Sequence, residues 1–384
     1  MLKTIRALLP CTADLGPGRH PVAEGDGDVV TASRRESRRA PAGWGRRAAV
    51  SLLAASILAA CSSESTGPDT PDAGELVVVV NSTDRSLTVI PVEDPESAYT
   101  IGVAPEGSPV SVAVRGKYAV VPLGTYPFVA VVDLEEREVE HTVPLPAGSG
   151  ATGAAFINDS IALVANSDLN SVSPINVRRG TVGDPIAVGT YPQAIVVVDG
   201  FAYVINGELE NWAPARPGTI TVIDGSLEVV GTITLSGLNP GSAAPGSDGR
   251  LYVLHSGSWG ADNGSLSVVD LVLRQEVSHH TGFGDYPGAI AAAPGRVLVA
   301  LYGSGILEWN PTTQSFTHGV ANPLTPGDKI PPISALGFDS QGVLYLLNPG
   351  NCIDPGRVYG VDEAGEVVLD VRTGGCPYAV AFRR

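Results

Sequence analysis

The sequence is poor in the residues that most often carry metal, haem or redox chemistry. Its 384 residues include four cysteines, one methionine and six histidines, and only 17% of the residues are charged. No C-x-x-C-H, D-x-D-x-D-G or H-E-x-x-H segment occurs, so the usual motifs for covalent haem, calcium and catalytic zinc are excluded. Long helical periodicity is missing after residue 62, where apolar residues come in short runs, which excludes a mainly helical fold.

Basic residues are also scarce. From Ser62 onward there are 15 Lys and Arg against 35 Asp and Glu, a net charge of −20, and Lys117 and Lys329 are the only lysines. An acidic surface repels phosphate backbones, which argues against nucleic-acid binding.

Glycine, proline and apolar residues are abundant instead. The chain has 46 Gly and 31 Pro, and 43% of its residues are hydrophobic. This composition predicts many short strands joined by tight turns.

The N-terminal region differs from the rest of the chain. Residues 1–47 are rich in Arg, Gly and Pro, and we expect a disordered leader or a true translation start downstream of Met1. Residues 46–60 contain two arginines followed by an apolar stretch of 13 residues, Ala48 to Ala60. This stretch is too short to span a bilayer and has the length of a signal-peptide core.

The segment "LAAC" at Leu58 to Cys61 resembles the lipobox of bacterial lipoproteins. The resemblance implies that Cys61 is lipidated and becomes the first mature residue, with a flexible linker over residues 61–75. It also implies an extracytoplasmic, membrane-anchored protein, on the periplasmic side of the outer membrane if the cell has one, because Ser62 follows the cysteine. The alternative is a chance Ala-Ala-Cys in an alanine-rich segment.

Residues 76–384 are predicted to form a ring of repeats. Aligned apolar runs give seven units of about 41 to 49 residues, a period typical of β-propellers with four strands per blade. The third strand of a unit is clearest in "FVAVVDL", "TITVIDG" and "SLSVVDL", and we expect Asp133, Asp224 and Asp270 to cap the turn that follows. A "G-x-Y-P" segment, as at residues 189–192, is predicted to connect an outer strand to the next inner strand.

The repeat phase predicts how the ring closes. The first ordered segment, "ELVVVVNSTDRSLTVIPVEDPESAYTIGV", has three strands and lacks an inner one, whereas "PYAVAFRR" at the C-terminus is an inner strand alone. The predicted fold is therefore all-β, a seven-bladed propeller of four-stranded antiparallel blades. Its last blade is shared by the two ends of the chain, which removes two open sheet edges.

Segments such as "LVVVVNSTDRSLTVIPV" and "IALVANSDLNSVSPINV" resemble the YVTN-type, YncE-like repeats of bacterial seven-bladed propellers over residues 75–384. The resemblance rests on asparagines at the end of the second strand, namely Asn81, Asn166, Asn206 and Asn348. Leu123, His255 and Leu301 take this place in three blades. We expect the asparagines to brace the following turn rather than to contact a ligand.

Uneven loop lengths predict a binding face. The turns predicted for one face are short, whereas the opposite, upper face carries long loops over residues 206–218, 255–265 and 321–332. Elaborated loops on one face of a repeat ring mark the binding surface. The candidate ligand-binding residues are Tyr191, Glu208, Glu210, Trp212, Arg216, His255, Trp259, Asp262, Tyr286 and Tyr378. The alternative is that each tryptophan merely covers its own loop.

Cys352 and Cys376 fall in two adjacent upper loops, and an exported protein can keep them oxidised. We predict a disulfide between them.

The predicted function is a monomeric, lipid-anchored binding or scaffold module for a protein, peptide or glycan. No catalytic residue, metal ligand or cofactor is assigned. Propeller lactonases place Glu, Asn, Asp or His on inner strands around a metal, and inner strands such as "SVAVR" and "GAIAAA" are nearly devoid of them. The alternative function, a lactonase-like hydrolase or lyase, would need a metal or an acid/base pair from Glu208, Glu210, His255 and Asp262. DNA binding, suggested by the YncE resemblance, conflicts with the acidic charge.

Overall fold

The computed structural model describes residues 74–327 and 332–384. The leader, the signal peptide, the lipobox and nearly all of the predicted linker lie outside the described residues, as do residues 328–331 of the predicted loop 321–332. The described residues form seven four-stranded antiparallel sheets, which confirms the predicted seven-bladed propeller. Among these residues no helix is long and apolar enough to cross a membrane.

The sheets are numbered here as blades 1 to 6 in chain order, plus a closing blade. The closing blade consists of β1 (Leu76–Asn81), β2 (Ser86–Pro91), β3 (Tyr99–Gly102) and the last strand of the chain, β31 (Pro377–Arg383). Blade 1 consists of β4 (Ala113–Arg115), β5 (Tyr118–Pro122), β6 (Phe128–Asp133) and β7 (Glu138–Pro144). Blade 2 consists of β8 (Ala151–Phe156), β9 (Ile161–Asn166), β10 (Ser171–Asn176) and an outer strand in two pieces, β11 (Thr181–Val182) and β12 (Ile186–Ala187).

Blade 3 carries an extra hairpin in its upper loop. Its sheet consists of β13 (Pro192–Val198), β14 (Phe201–Asn206), β17 (Pro217–Ile223) and β18 (Val229–Leu238). The extra hairpin is a separate two-stranded sheet that consists of β15 (Leu209–Glu210) and β16 (Ala213–Pro214). Blade 4 consists of β19 (Pro240–Pro245), β20 (Arg250–His255), β21 (Ser265–Asp270) and β22 (Gln275–Thr281). Blade 5 consists of β23 (Ala289–Ala293), β24 (Arg296–Leu301), β25 (Gly305–Asn310) and β26 (Ser315–His318). Blade 6 consists of β27 (Ala335–Phe338), β28 (Leu344–Asn348), β29 (Pro355–Val361) and β30 (Val367–Gly375).

The core lies between neighbouring blades. The second and third strands of a blade are apolar on both faces because each face packs on an adjacent blade, and all six residues of β1 are buried. Val78 and Val80 of the closing blade, for example, share a buried cluster with Ala130 and Val132 of blade 1. Each inner strand contacts the inner strands of both neighbouring blades, so the ring is continuous.

The ends of the chain close the ring as the repeat phase predicts. β31 pairs antiparallel with β1, with Leu76 opposite Arg383 and Val78 opposite Ala381. The Arg383 guanidinium also donates to the Gly74 carbonyl at 2.9 Å. The closing blade therefore has four strands although no continuous segment of the chain encodes it.

The predicted aspartate caps are present on the lower face, where the short turns lie. Asp270 Oδ1 accepts the backbone N–H groups of Val272 and Leu273 at 3.0 and 2.9 Å. Asp133 and Asp224 accept backbone N–H groups of the turns that follow them in the same way. These carboxylates satisfy turn donors that no strand pairs with, which confirms their structural role.

Candidate functional site

The upper face is built on a repeated connection between blades. Four connections from an outer strand to the next inner strand have a Gly-x-Tyr/Asn/Cys-Pro sequence: residues 189–192, 237–240, 284–287 and 374–377. Their third residues, Tyr191, Asn239, Tyr286 and Cys376, have φ values of 55°, 52°, 53° and 55°. In three connections the proline is the first residue of the inner strand, where its missing N–H costs no ladder bond.

The glycine of this connection faces the end of the second strand in the following blade. A Cβ on Gly189 would lie 2.5 Å from Asn206 Nδ2 and 2.8 Å from Glu208 Oε1. Gly374 packs against Asn81, Gly237 against the His255 ring and Gly284 against Leu301 in the same way. The connection and the strand end are thus one packed unit at the upper face of each of these blades.

The asparagines at these strand ends brace their own blades. Asn206 Nδ2 donates to the hydroxyls of Thr219 and Thr221, both at 3.1 Å. Asn81 and Asn166 each donate to two hydroxyls of the third strand at 2.9 to 3.1 Å. The expected bracing role is therefore confirmed for these three residues.

His255 replaces this asparagine in blade 4 and lies inside the blade. Its side chain is fully buried, and its Nε2 is 2.6 Å from Ser267 Oγ, which donates to Glu276 Oε1. The His279 ring packs against it with centroids 5.8 Å apart. Burial, and then the proximity of His279, lower the pKa of His255 to about 3. The residue predicted as a ligand or acid/base group is therefore neutral and enclosed, not exposed on the upper face.

The charged residues of the loop at 206–218 hold the loop together. Glu208 is only 4% exposed and its Oε1 accepts the Thr219 hydroxyl at 2.7 Å. Arg216 donates to Glu208 Oε2, Glu210 Oε1 and Thr190 Oγ1, each at 2.9 Å. These side chains are engaged with one another, so they fix the loop that carries Trp212.

Two tryptophan–tyrosine pairs lie on the upper face. Trp212 is 65% exposed and packs edge-on against Tyr191, with centroids 5.6 Å apart. Trp259 is 68% exposed and packs against Tyr286 at 5.3 Å. Burial raises the pKa of Tyr191 to about 12, and Asp168 and Tyr286 contribute electrostatically. The connections that carry the two tyrosines are linked through blade 4, because Gln193 Nε2 donates to the Pro240 carbonyl and Ser256 Oγ to the Pro287 carbonyl, both at 2.9 Å. The two pairs together are called the aromatic row.

The aromatic row joins loops from three consecutive blades. Trp212 is in the upper loop of blade 3, Trp259 is in that of blade 4, and Tyr286 precedes the inner strand of blade 5. Asp285 Oδ1 accepts the Gly260 N–H at 2.8 Å, which ties the blade 4 loop to the next connection. Each tryptophan thus rests on a tyrosine of a separate connection instead of folding back over its own loop.

The remaining candidate residues lie at the border of this site or outside it. Asp262 is exposed in the blade 4 loop beside Trp259. Tyr378 is the second residue of β31 and is half-buried in the closing blade, on the far side of blades 5 and 6. Asp168, which acts on Tyr191, was missed by sequence reasoning because it stands in a short loop without aromatic neighbours in sequence.

Cys352 and Cys376 are bonded, with an S–S distance of 2.05 Å and Cα atoms 4.2 Å apart. The bond joins the upper loop of blade 6 to the connection that leads into β31. The closing blade packs against both cysteines, because Thr83 Oγ1 donates to the Cys352 carbonyl at 3.1 Å and the Ser82 N–H to that of Cys376 at 2.9 Å.

Within residues 74–327 and 332–384, no three His, Cys, Asp or Glu side chains are grouped so that they could hold a metal ion. Two surface cavities, of about 390 and 280 Å³, lie between the outer parts of blades 2 and 3 and of blades 4 and 5. The aromatic row lines neither of them. Its two tryptophans are largely exposed, which suits a macromolecular ligand better than an enclosed small molecule.

No family model matches the chain, and no curated protein matches its sequence. Solved structures do match it. Hydrazine synthase from Kuenenia stuttgartiensis is similar with a TM-score of 0.59 and 16% identity, over 72% of this chain and 90% of that one. A quinoprotein alcohol dehydrogenase-like protein from Bacteroides thetaiotaomicron has a TM-score of 0.58 and 13% identity, over 81% and 78% of the two chains.

U3-55K has a TM-score of 0.53 and 15% identity, over 70% of this chain and 86% of that one. At such identities the likeness concerns the fold and not the site. The comparisons therefore agree with the β-propeller architecture and assign no activity to the upper face.

Proposed function

We propose that the protein is an extracytoplasmic, lipid-anchored binding module of the YVTN, YncE-like type. It binds a protein, peptide or glycan through the upper face, as a monomer held to the membrane by Cys61. The fold itself is compatible with binding or with catalysis.

The aromatic row is the observation that carries this proposal. Two tryptophans that are 65% and 68% exposed lie within one surface, each held by a tyrosine. Exposed aromatic side chains are costly to solvate, and Trp and Tyr dominate binding energy where they become buried by a partner. The ion pairs of Arg216 fix the supporting loop before any partner arrives, which lowers the entropic cost of binding.

The path of the chain is compatible with an anchor at Cys61. β1 runs from the lower face to the upper face, and Glu75 beside it accepts the backbone N–H of Ser340 in a lower turn at 3.0 Å. The described part of the chain therefore begins at the lower face, opposite the aromatic row.

The test is to probe peptide and glycan arrays with the purified protein and with a Trp212→Ala/Trp259→Ala variant. We expect ligands whose binding to the variant falls at least tenfold, because truncation of aromatic anchors typically costs about 2 kcal/mol or more each. A Val272→Ala/Leu273→Ala variant is the matched control, since these apolar residues are 89% and 61% exposed on the lower face. Equal binding by all three proteins would contradict a role for the upper face.

The anchor has its own readout. Mass spectrometry of the protein from the membrane fraction should find a diacylglyceryl group on Cys61 at the mature N-terminus. A Cys61→Ala variant should lose that modification, and an unmodified Cys61 in membrane-associated wild-type protein would contradict the lipoprotein assignment.

A further inference from the structure

The upper loops around the aromatic row are strongly acidic. From blade 2 to the inner strand of blade 5 they contain five carboxylates and one guanidinium: Asp168, Glu208, Glu210, Asp262 and Asp285 against Arg216. Arg216 is bound by Glu208 and Glu210. The surface therefore has several carboxylates without a basic partner of their own.

Asp168 lies in a loop that is bonded to the Tyr191 connection, because Ser167 Oγ donates to the Pro192 carbonyl at 2.6 Å and the Tyr191 N–H donates to Asn170 Oδ1 at 2.9 Å. It is exposed, and its carboxylate accepts no hydrogen bond from the described residues. Surrounding protein nevertheless dehydrates it in part and raises the pKa of its carboxyl above the ordinary value. A partly dehydrated carboxylate without a donor gains more from an incoming cation than a fully hydrated one.

The aromatic row adds a second attraction for the same kind of ligand. The faces of Trp and Tyr rings carry negative potential and attract ammonium and guanidinium groups. Tyr191 is neutral at physiological pH, as tyrosines ordinarily are, and burial raises its pKa further, to about 12. The carboxylates therefore attract a cationic ligand over a longer distance, whereas the aromatic rings interact with it only in direct contact.

From these features we propose that the ligand is a cationic polypeptide segment. This proposal rests on the proposed binding role of the upper face. A Lys or Arg side chain lies against Tyr191 and Trp212 with its charge toward Asp168, and a further residue of the same segment packs on Trp259 and Tyr286. The open surface across three blades fits an extended segment, and its charge is complementary to the acidic loops.

The test measures fluorescence anisotropy of labelled ten-residue peptides with the purified protein. One peptide alternates Lys with Ala, one alternates Arg with Ala, and the matched controls carry Glu or Gln in place of the basic residues. We expect saturable binding of the two basic peptides, weaker at high salt because exposed charges are screened, and none of the glutamate peptide.

Two isosteric variants separate a local effect from net charge. Asp168→Asn keeps the shape of the side chain and should weaken binding of the basic peptides about fivefold, since an exposed ion pair is worth up to about 1 kcal/mol. Asp159→Asn removes the same charge from the lower face, where Asp159 pairs with Arg115, and should leave affinity within twofold. Trp212→Ala should weaken binding at least as much as Asp168→Asn.

Several outcomes would overturn the cationic assignment. Equal binding of the basic and glutamine peptides would do so, and so would an unchanged affinity in Asp168→Asn. If free lysine binds as tightly as the peptide, the ligand need not be an extended segment, and that part of the proposal would be wrong. If neutral glycans or peptides bind in a Trp212-dependent way while basic peptides do not, the proposed binding role stands and only the cationic ligand is wrong. If no ligand depends on Trp212 or Trp259, both proposals are wrong.

Discussion

At the scale of single residues, repeat position determines role more strongly than residue type does. Asparagines at the end of the second strand were expected to brace their blades, and Asn81, Asn166 and Asn206 do so through hydroxyls of the third strand. His255 occupies the same repeat position, and its ring likewise contacts a third-strand hydroxyl. Its type suggested a ligand or an acid/base group, whereas its position predicts a buried brace. The repeat pattern was the better guide.

The outer-strand histidines show the limit of this reasoning. His279 and His280 lie near the end of the outer strand β22, a position that is usually open to solvent. Both are instead half-buried: His279 packs on His255, and the His280 ring lies 4.9 Å from that of Trp309 in blade 5. Outer strands still contact the next blade, and the sequence of one blade does not reveal which neighbour faces it.

The buried histidine predicts a pH dependence of stability. The folded-state pKa of His255 is about 3, below the value of about 6.5 expected in the unfolded chain. Protonation therefore favours unfolding, so the stabilising contribution is complete above pH 6.5 and is lost as the pH falls toward 3. The groups that face the ring are His279, Ser267 and Glu276, and none of them supplies a countercharge directly to His255.

His255→Asn provides the measurement, because it installs the residue that other blades carry. Urea unfolding at pH 7 and pH 4 should show that the wild type loses on the order of 3 kcal/mol more than the variant over this interval. The new amide can donate to the hydroxyls of Ser265 and Ser267, as in the other braced blades, so we expect the variant to fold. The same loss of stability in both proteins would show that His255 does not titrate in this range.

At the scale of elements, the connection between blades is a repeated unit with the same backbone features in each copy. Three copies have the sequence "G-x-Y-P" or "G-x-C-P", at residues 189–192, 284–287 and 374–377, and the connection predicted at residues 189–192 is confirmed. The fourth, Gly237 to Pro240, was not recognised because asparagine replaces the aromatic residue. What the four share is a glycine against the strand end and a third residue with positive φ. Both are requirements on the backbone, and different residue types can meet them. Comparing the residues of the copies therefore identifies only some of the connections.

These backbone features predict different outcomes for two glycines of the upper face. Gly189→Ala places a Cβ 2.5 Å from Asn206 Nδ2, and the braced amide cannot move without losing its hydroxyl partners. We expect the variant to lose about 2 kcal/mol of stability, as is typical of overpacking. Gly288 is also in an upper connection, but its Cβ would meet no atom within 4 Å. Gly288→Ala should therefore stay within about 0.5 kcal/mol of the wild type.

Urea denaturation of both variants checks this pair, and the aromatic row gives an independent readout. Because Gly189 adjoins Thr190 and Tyr191, displacement in Gly189→Ala should also change the tryptophan emission of Trp212. Equal stability of the two variants would mean that the connection tolerates a side chain facing the strand end.

At the scale of the whole molecule, the fold was readable from the sequence and the arrangement of the candidate site was not. Blade number and closure follow from the period and phase of apolar runs, which survive poor similarity between repeats. The aromatic row depends on side chains from three blades and on Asp168, which no local pattern connects to Tyr191. Loops of different lengths meet only after the ring forms, so sequence reasoning could name the tryptophans but not their partners.

The shared closing blade makes the strongest prediction at this scale. Deleting residues 377–384 removes β31, leaves the edge of β1 unpaired and removes Phe382 and Val380 from the cluster that contains Val77 and Val79. We expect this variant to lose its cooperative unfolding transition, because an open ring exposes both a strand edge and an apolar face. Deleting Arg384 alone, which lies outside β31, should preserve the transition.

A circular permutant separates the loss of closure from the mere loss of a terminus. The native ends are adjacent, since Arg383 donates to the Gly74 carbonyl at 2.9 Å, and a short linker can join Arg384 to Gly74. New ends between Arg178 and Arg179, both exposed in a lower turn of blade 2, leave every blade with all of its strands. We expect thermal unfolding of the permutant to remain cooperative, whereas that of the deletion variant does not. A cooperative transition in the deletion variant would contradict the closing role of β31, because six complete blades would then be stable without the ring.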